Sequence, residues 1–331
     1  MSNLESEPDE LLASGATITT ERTPLEILLP RLVPLGGPRA MTVHRTLPQR
    51  QRSTIGAWCF LDHYGPDDVS ATGGMRVPPH PHTGLQTVSW LFEGEIEHRD
   101  SVASHAMVRP SEVNLMTAGH GISHSEVSTT EVTVLHGAQL WVVLPEKSRD
   151  VLPFFEHAVP EPFDIGGATV RVFVGDLAGR SSAVSVFSPL VGAQIDLPAG
   201  IDVSIPADPS FEHGILVDTG SVTVCGEPLG RRELGYLDPG RDDITLRAAE
   251  PSRILLLGGT PFGEPFIMWW NFIGRTHEEI VEFRAEWQRD VIGAADPDGR
   301  FGTVGGYDGR ALPAPELPTV RLKPRAAPTR S

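Results

Sequence analysis

The sequence predicts an all-β protein built as two related domains, and three observations carry that reading. Its 331 residues suffice for about two domains, each able to bury a core. Glycine (34) and proline (30) are plentiful beside 40% hydrophobic residues, a mix that favours short strands and many turns over a helical bundle. A weak internal repeat relates Val113-Asn114-Leu115-Met116-Thr117-Ala118-Gly119 to Leu234-Gly235-Tyr236-Leu237-Asp238-Pro239-Gly240.

Residues 1–29 read as a polar, acidic leader, and residues 30–150 as the first domain. Its first structured stretch is expected over 41–52, followed by Gly56-Ala57-Trp58-Cys59-Phe60-Leu61-Asp62-His63-Tyr64-Gly65-Pro66 and a loop through Asp67-Asp68 and Gly73-Gly74. The β-branched and aromatic run 87–92 predicts a strand, and Glu93-Gly94-Glu95 a hairpin turn from which 96–100 returns. Residues 135–144 form a buried strand that Pro145 ends.

Prolines and charges break the pattern over 146–164, and a second domain spans 151–290. Strands are expected there at 170–174, 184–187, 193–197, 215–217, 222–224 and 254–257. Asp218-Thr219-Gly220-Ser221 forms a turn in the place that Glu93-Gly94-Glu95 holds in the first domain. Thr276 and Glu279 predict a capping box for a helix over 277–290, whose Ile280, Phe283 and Trp287 share one face and cover an apolar edge. The aromatic run Trp269-Trp270-Asn271-Phe272 reads as core beneath that helix rather than as a ligand-stacking wall. Residues 291–331 are a Gly/Pro-rich tail, basic and extended or disordered from 311 onward.

A net charge of −16 weighs against nucleic acid and anionic membranes as partners. Two cysteines, Cys59 and Cys225, make no disulfide framework. The opening residues lack the basic and apolar regions of a signal peptide, and no apolar run nears the roughly 18 residues of a membrane span. A cytoplasmic monomer is expected.

Chemistry concentrates between residues 77 and 126. His80 and His82 stand two apart, as do His124 and Glu126, and in an extended chain such pairs face one side. Two strands folded together would offer three imidazoles and one carboxylate to a single ion, a set that suits Fe, Mn, Co, Ni, Cu or Zn. Octahedral coordination would leave two positions open, whereas a tetrahedral zinc site would be closed. Gln86, on the same face, reads either as a polar residue at the barrel mouth or as a group that orients water or a substrate hydroxyl. His63 and His213 read as structural, His98 and His105 as surface residues, and His120 as a residue of a turn that could rim the pocket. Ser123 and Ser125 lack the setting of a nucleophile elbow, and no phosphate-binding glycine loop is present.

Phe60-Leu61-Asp62-His63-Tyr64-Gly65-Pro66, His80-Pro81-His82-Thr83-Gly84, Met116-Thr117-Ala118-Gly119, His124-Ser125-Glu126 and Gln139-Leu140-Trp141-Val142 together resemble the pirin family. The resemblance spans most of residues 30–290. It implies a bicupin of two β-barrel (jelly-roll) domains, the first holding Fe2+ through His80, His82, His124 and Glu126, the second a scaffold. It also implies quercetin 2,3-dioxygenase activity on a flavonol and O2, with Glu126 as both ligand and base. The alternative it implies is a redox-sensing regulator that binds a partner protein. Gln86 departs from the general cupin pattern, which places a ligand glutamate there, and the tail is longer than in familiar pirins.

Overall fold

The computed structural model describes residues 25–35, 41–70 and 74–324. Two β-barrels, each made of a large and a small antiparallel sheet, account for nearly all regular structure. In the first, Val134–Val143 lies at the centre of the large sheet between Trp58–Asp68 and Leu85–Glu93. The small sheet runs in the order Arg76–His82, Ile122–Ser128, Ile96–Asp100, His105–Val108. In the second barrel, Ser252–Gly259 sits between Leu190–Leu197 and Glu212–Thr219, and a small sheet pairs Ile201–Pro206, Asp243–Ala248 and Val222–Val224.

The expected hairpin at Glu93-Gly94-Glu95 is a corner instead. Leu85–Glu93 belongs to the large sheet and Ile96–Asp100 to the small one, so the chain crosses between sheets. The turn at Asp218-Thr219-Gly220-Ser221 makes the same crossing in the second barrel. The internal repeat has the same basis: Val113–Thr117 pairs with Leu85–Glu93 as Leu234–Leu237 pairs with Glu212–Thr219.

Segments near both domain boundaries pair with the opposite barrel. Residues 1–24 of the expected leader lie outside the described residues, but Glu26–Leu28 is a strand that pairs with Leu234–Leu237 of the second barrel. In return, Phe154–Ala158 extends the large sheet of the first barrel by pairing with Val113–Thr117. Residues 184–187 are irregular rather than a strand. Pairing partners, which no local pattern reveals, decide all three points.

Core packing joins the barrels. Phe60 stacks on Trp141 at 4.0 Å, and Trp90 of the first barrel stacks on Phe173 of the second at 4.7 Å. The indole N–H of Trp58 donates to Val191 O (3.0 Å) and that of Trp90 to Gln194 Oε1 (2.8 Å), so the tryptophans satisfy their polar ends across the seam.

The expected helix is His277–Glu286, and it continues into a π-helical turn, Trp287–Ile292. Thr276 Oγ1 accepts from Glu279 N–H at 3.2 Å. The carboxylate of Glu279 does not close a reciprocal box; it accepts from Arg275 N–H and pairs with Arg149. Ile280, Phe283 and Trp287 bury against Trp269, Trp270 and Phe272, as the spacing predicts. The tail beyond them carries no regular element up to residue 324, yet Phe301, Ala314 and Leu322 are buried in the same cluster. Cys59 and Cys225 form no disulfide. No helix among the described residues is long and apolar enough to cross a membrane.

Candidate metal centre

Arg76–His82 is an edge strand of the small sheet, where Pro78, Pro79 and Pro81 cost no ladder hydrogen bond on a second side. It pairs with Ile122–Ser128 so that His80 stands opposite His124. At its end Gly84 turns the chain with a φ of +67°, and any Cβ there would fall 2.7 Å from Ile273 O. That close approach places the histidines against the segment before the C-terminal helix.

One donor nitrogen from each of His80, His82 and His124 lies within 4.8 Å of the others, and all three side chains are buried. His80 Nδ1 is 2.8 Å from Pro78 O, and His82 Nδ1 is 3.1 Å from Asn271 O. A carbonyl only accepts, so each Nδ1 carries the hydrogen and each Nε2 keeps a bare lone pair. His80 Nε2 is buried without a hydrogen-bond partner. His82 Nε2 faces His124 Nε2 at 3.1 Å. Burial pushes His80 down to about 4. Burial, then the neighbouring imidazoles, hold His82 and His124 well below the ordinary histidine range. Converging, unprotonated imidazole nitrogens are the donors a borderline divalent cation takes.

Glu126 stands beside this cluster rather than within it. Between His124 and Glu126 the register slips, from His80 to Val77 on the edge strand, and the carboxylate comes into the same range of His124 and His98 instead. It is buried, and Ser89 Oγ lies 3.3 Å from its Oε1 while donating to Gln139 Oε1 at 2.9 Å.

His98, expected on the surface, is buried. Its strand is internal to the small sheet, with His98 opposite Glu126, and its ring stacks on Phe155 at 4.6 Å. The alternation of Ile96, His98 and Asp100 was the available signal, obscured by the outward charges Glu97 and Arg99 between them. His105 is exposed and pairs with Glu97, as the sequence suggests. His120 is half-buried, and its carbonyl accepts from Arg300 of the tail. His63 and His213 lie apart from the cluster. Gln86, expected on the face of the histidines, points the other way: three positions along a regular strand from Ser89, which meets Glu126, it is buried against the second barrel, and its Nε2 donates to Thr117 Oγ1 (2.9 Å) and to Ser185 O (3.0 Å).

Residues 40–142 match the family model described as Pirin, and residues 192–293 match the Pirin C-terminal cupin domain. A protein of Pseudomonas aeruginosa named "Putative quercetin 2,3-dioxygenase" is 42% identical over 295 residues, covering 89% of this chain and 91% of its own length. A Pirin-like protein of Caulobacter vibrioides is 36% identical over 285 residues, covering 83% and 94%. The crystal structure of a quercetin 2,3-dioxygenase from Acinetobacter baumannii superposes with a TM-score of 0.84 at 39% identity, covering 90% of this chain and 98% of that one.

Proposed function

This chain belongs to the pirin family, and from that premise we propose that it is a metal-dependent dioxygenase that opens the heterocycle of a flavonol such as quercetin. The observation that carries the reading is the buried convergence of His80, His82 and His124, two of them with Nε2 lone pairs left bare by their backbone partners. Fe(II) is the metal proposed, and Mn, Co, Ni, Cu or Zn would accept the same nitrogens.

His80, His82 and His124 would hold the metal, with the Glu126 carboxylate, which lies near His124, as the fourth candidate donor. Bound there, the metal supplies positive charge to stabilise a flavonol oxyanion and a path for electrons toward O2. Glu126 takes the proton of the 3-hydroxyl.

The test is optical. Quercetin added without oxygen to the Fe(II)-loaded protein shifts to longer wavelength as its 3-hydroxylate forms, and admitting air bleaches that band with matching O2 uptake. Glu126→Gln weakens both events. Metal retained with no shift and no uptake across a flavonol panel would refute the enzyme and leave the regulatory reading.

A further inference from the structure

His124 is held differently from the other two histidines of the cluster. His80 and His82 each spend Nδ1–H on a backbone carbonyl, that of Pro78 and that of Asn271. His124 Nδ1 lies instead 3.4 Å from Nδ1 of His98, and the other nitrogen of His98, Nε2, lies 3.1 Å from Asp100 Oδ2. All three side chains are buried. Asp100 is fixed in turn, because its Oδ1 accepts from the backbone N–H of Val102 (3.1 Å) and of Ser104 (2.8 Å).

The direction of these bonds follows from what each group can give. A carboxylate has no hydrogen to donate, so Asp100 Oδ2 accepts Nε2–H of His98. A neutral imidazole protonated at Nε2 presents a bare Nδ1, which accepts from His124 only if His124 carries its hydrogen on Nδ1. His124 Nε2 is then bare and points at His82 Nε2, 3.1 Å away. In the opposite tautomer His124 would donate to His82, and the cluster would close on itself as a hydrogen bond. We infer that Asp100 and His98 form a relay that fixes the tautomer of His124 and so aims its Nε2 lone pair at the metal. The inference rests on the reading of His80, His82 and His124 as metal-holding residues. Asp100 and His98 touch no metal; they are positioning residues, which hold a ligand's orientation and basicity.

The experiment uses the full-length protein, stripped of metal and labelled with 15N in its imidazoles. Long-range 1H–15N correlations then report which nitrogen of His124 carries hydrogen, and Ni(II) affinity is measured by competition with a chelator. In the wild type the hydrogen of His124 is on Nδ1. In Asp100→Asn the amide oxygen remains with the two backbone N–H groups and the NH2 faces His98, so every bond in the chain reverses. The hydrogen of His124 then moves to Nε2, and Ni(II) affinity falls by about 10- to 100-fold, the usual loss for such a partner. His98→Phe, which keeps a ring against Phe155, removes the acceptor and also weakens Ni(II) binding. Nδ1 of His124 found bare in the wild type would overturn the relay, as would Asp100→Asn with unchanged tautomer and affinity. Failure of the metal reading looks different: the wild type would bind Ni(II) no better than His82→Ala, while the tautomer of His124 would still decide the relay.

Discussion

His63 of the first barrel and Asp218 of the second meet at 2.7 Å, Nε2 against Oδ1, with neither side chain exposed. His136 Nε2 reaches the same oxygen at 2.5 Å, and Arg253 lies 3.2 Å from the other. Burial opposes ionisation of Asp218, but the hydrogen bonds from His136 and His63 outweigh it and hold the carboxyl far below its ordinary range. Two imidazoles have thus given their hydrogens to one carboxylate that a guanidinium already neutralises. The cluster is a polar lock in the seam. Asp218→Ala leaves these partners buried and unpaired, so unfolding in urea should show a loss of about 3–5 kcal/mol. Metal bound per folded chain should not change. A loss under 1 kcal/mol would mean that the seam does not depend on this contact.

Metal content separates ligands from bystanders. The wild type should hold about one transition-metal ion per chain, in its first barrel. His82→Ala and His124→Ala should lose most of it, whereas His213→Ala and His105→Ala should keep it, measured by elemental analysis. Equal loss in all four would show that the fold had been disturbed, not coordination.

Acid should weaken the metal-free fold well above the carboxylate range. Burial pushes His80 and His213 down to about 4, whereas an unfolded histidine titrates near 6.5. Between those values the unfolded chain binds more protons, so stability rises with pH there and is lost as pH falls from about 6.5 toward 4. Each group should cost about 1.4 kcal/mol at pH 5.5 relative to neutral pH. Urea midpoints of chelator-treated protein at pH 7.5 and 5.5 would reveal this, and equal midpoints would contradict it.

The tail should be structural. Phe301 is 1% exposed, packs against Trp287 and Phe272, and its carbonyl accepts from Ser123 Oγ at 2.9 Å on the strand that carries His124. Phe301→Ala should cost about 3–5 kcal/mol by denaturant unfolding, as for other buried aromatics. A change within 0.5 kcal/mol would mark the tail as loosely attached.

Gln86→Glu tests the contact behind the metal centre. Gln86 donates to Ser185 O of the second barrel from the face of its strand opposite Ser89. A carboxylate there cannot donate and would face that carbonyl, so denaturant unfolding should show a loss of about 1–3 kcal/mol while metal per folded chain is retained. An unchanged midpoint would mean that this contact does not support the seam.

Some of this was legible in the sequence alone. Alternation placed His80 and His82 on one face, the turn-rich composition announced a β protein, and Ile280, Phe283 and Trp287 marked the buried face of one helix. The two halves of the repeat also occupy equivalent strands. These features are local, because strand and helix periodicity depend only on neighbours along the chain. Tertiary structure decided what those faces meet. Period-two spacing puts His98 with Asp100 but does not say that another strand and Phe155 cover them. The carbonyl that orients His82 belongs to Asn271, 189 residues away in sequence, and the partner of His63 is in the other barrel. A hydrogen-bond donor or acceptor is satisfied by whatever packing brings within about 3 Å, and that distance is set by how sheets stack, not by spacing along the chain.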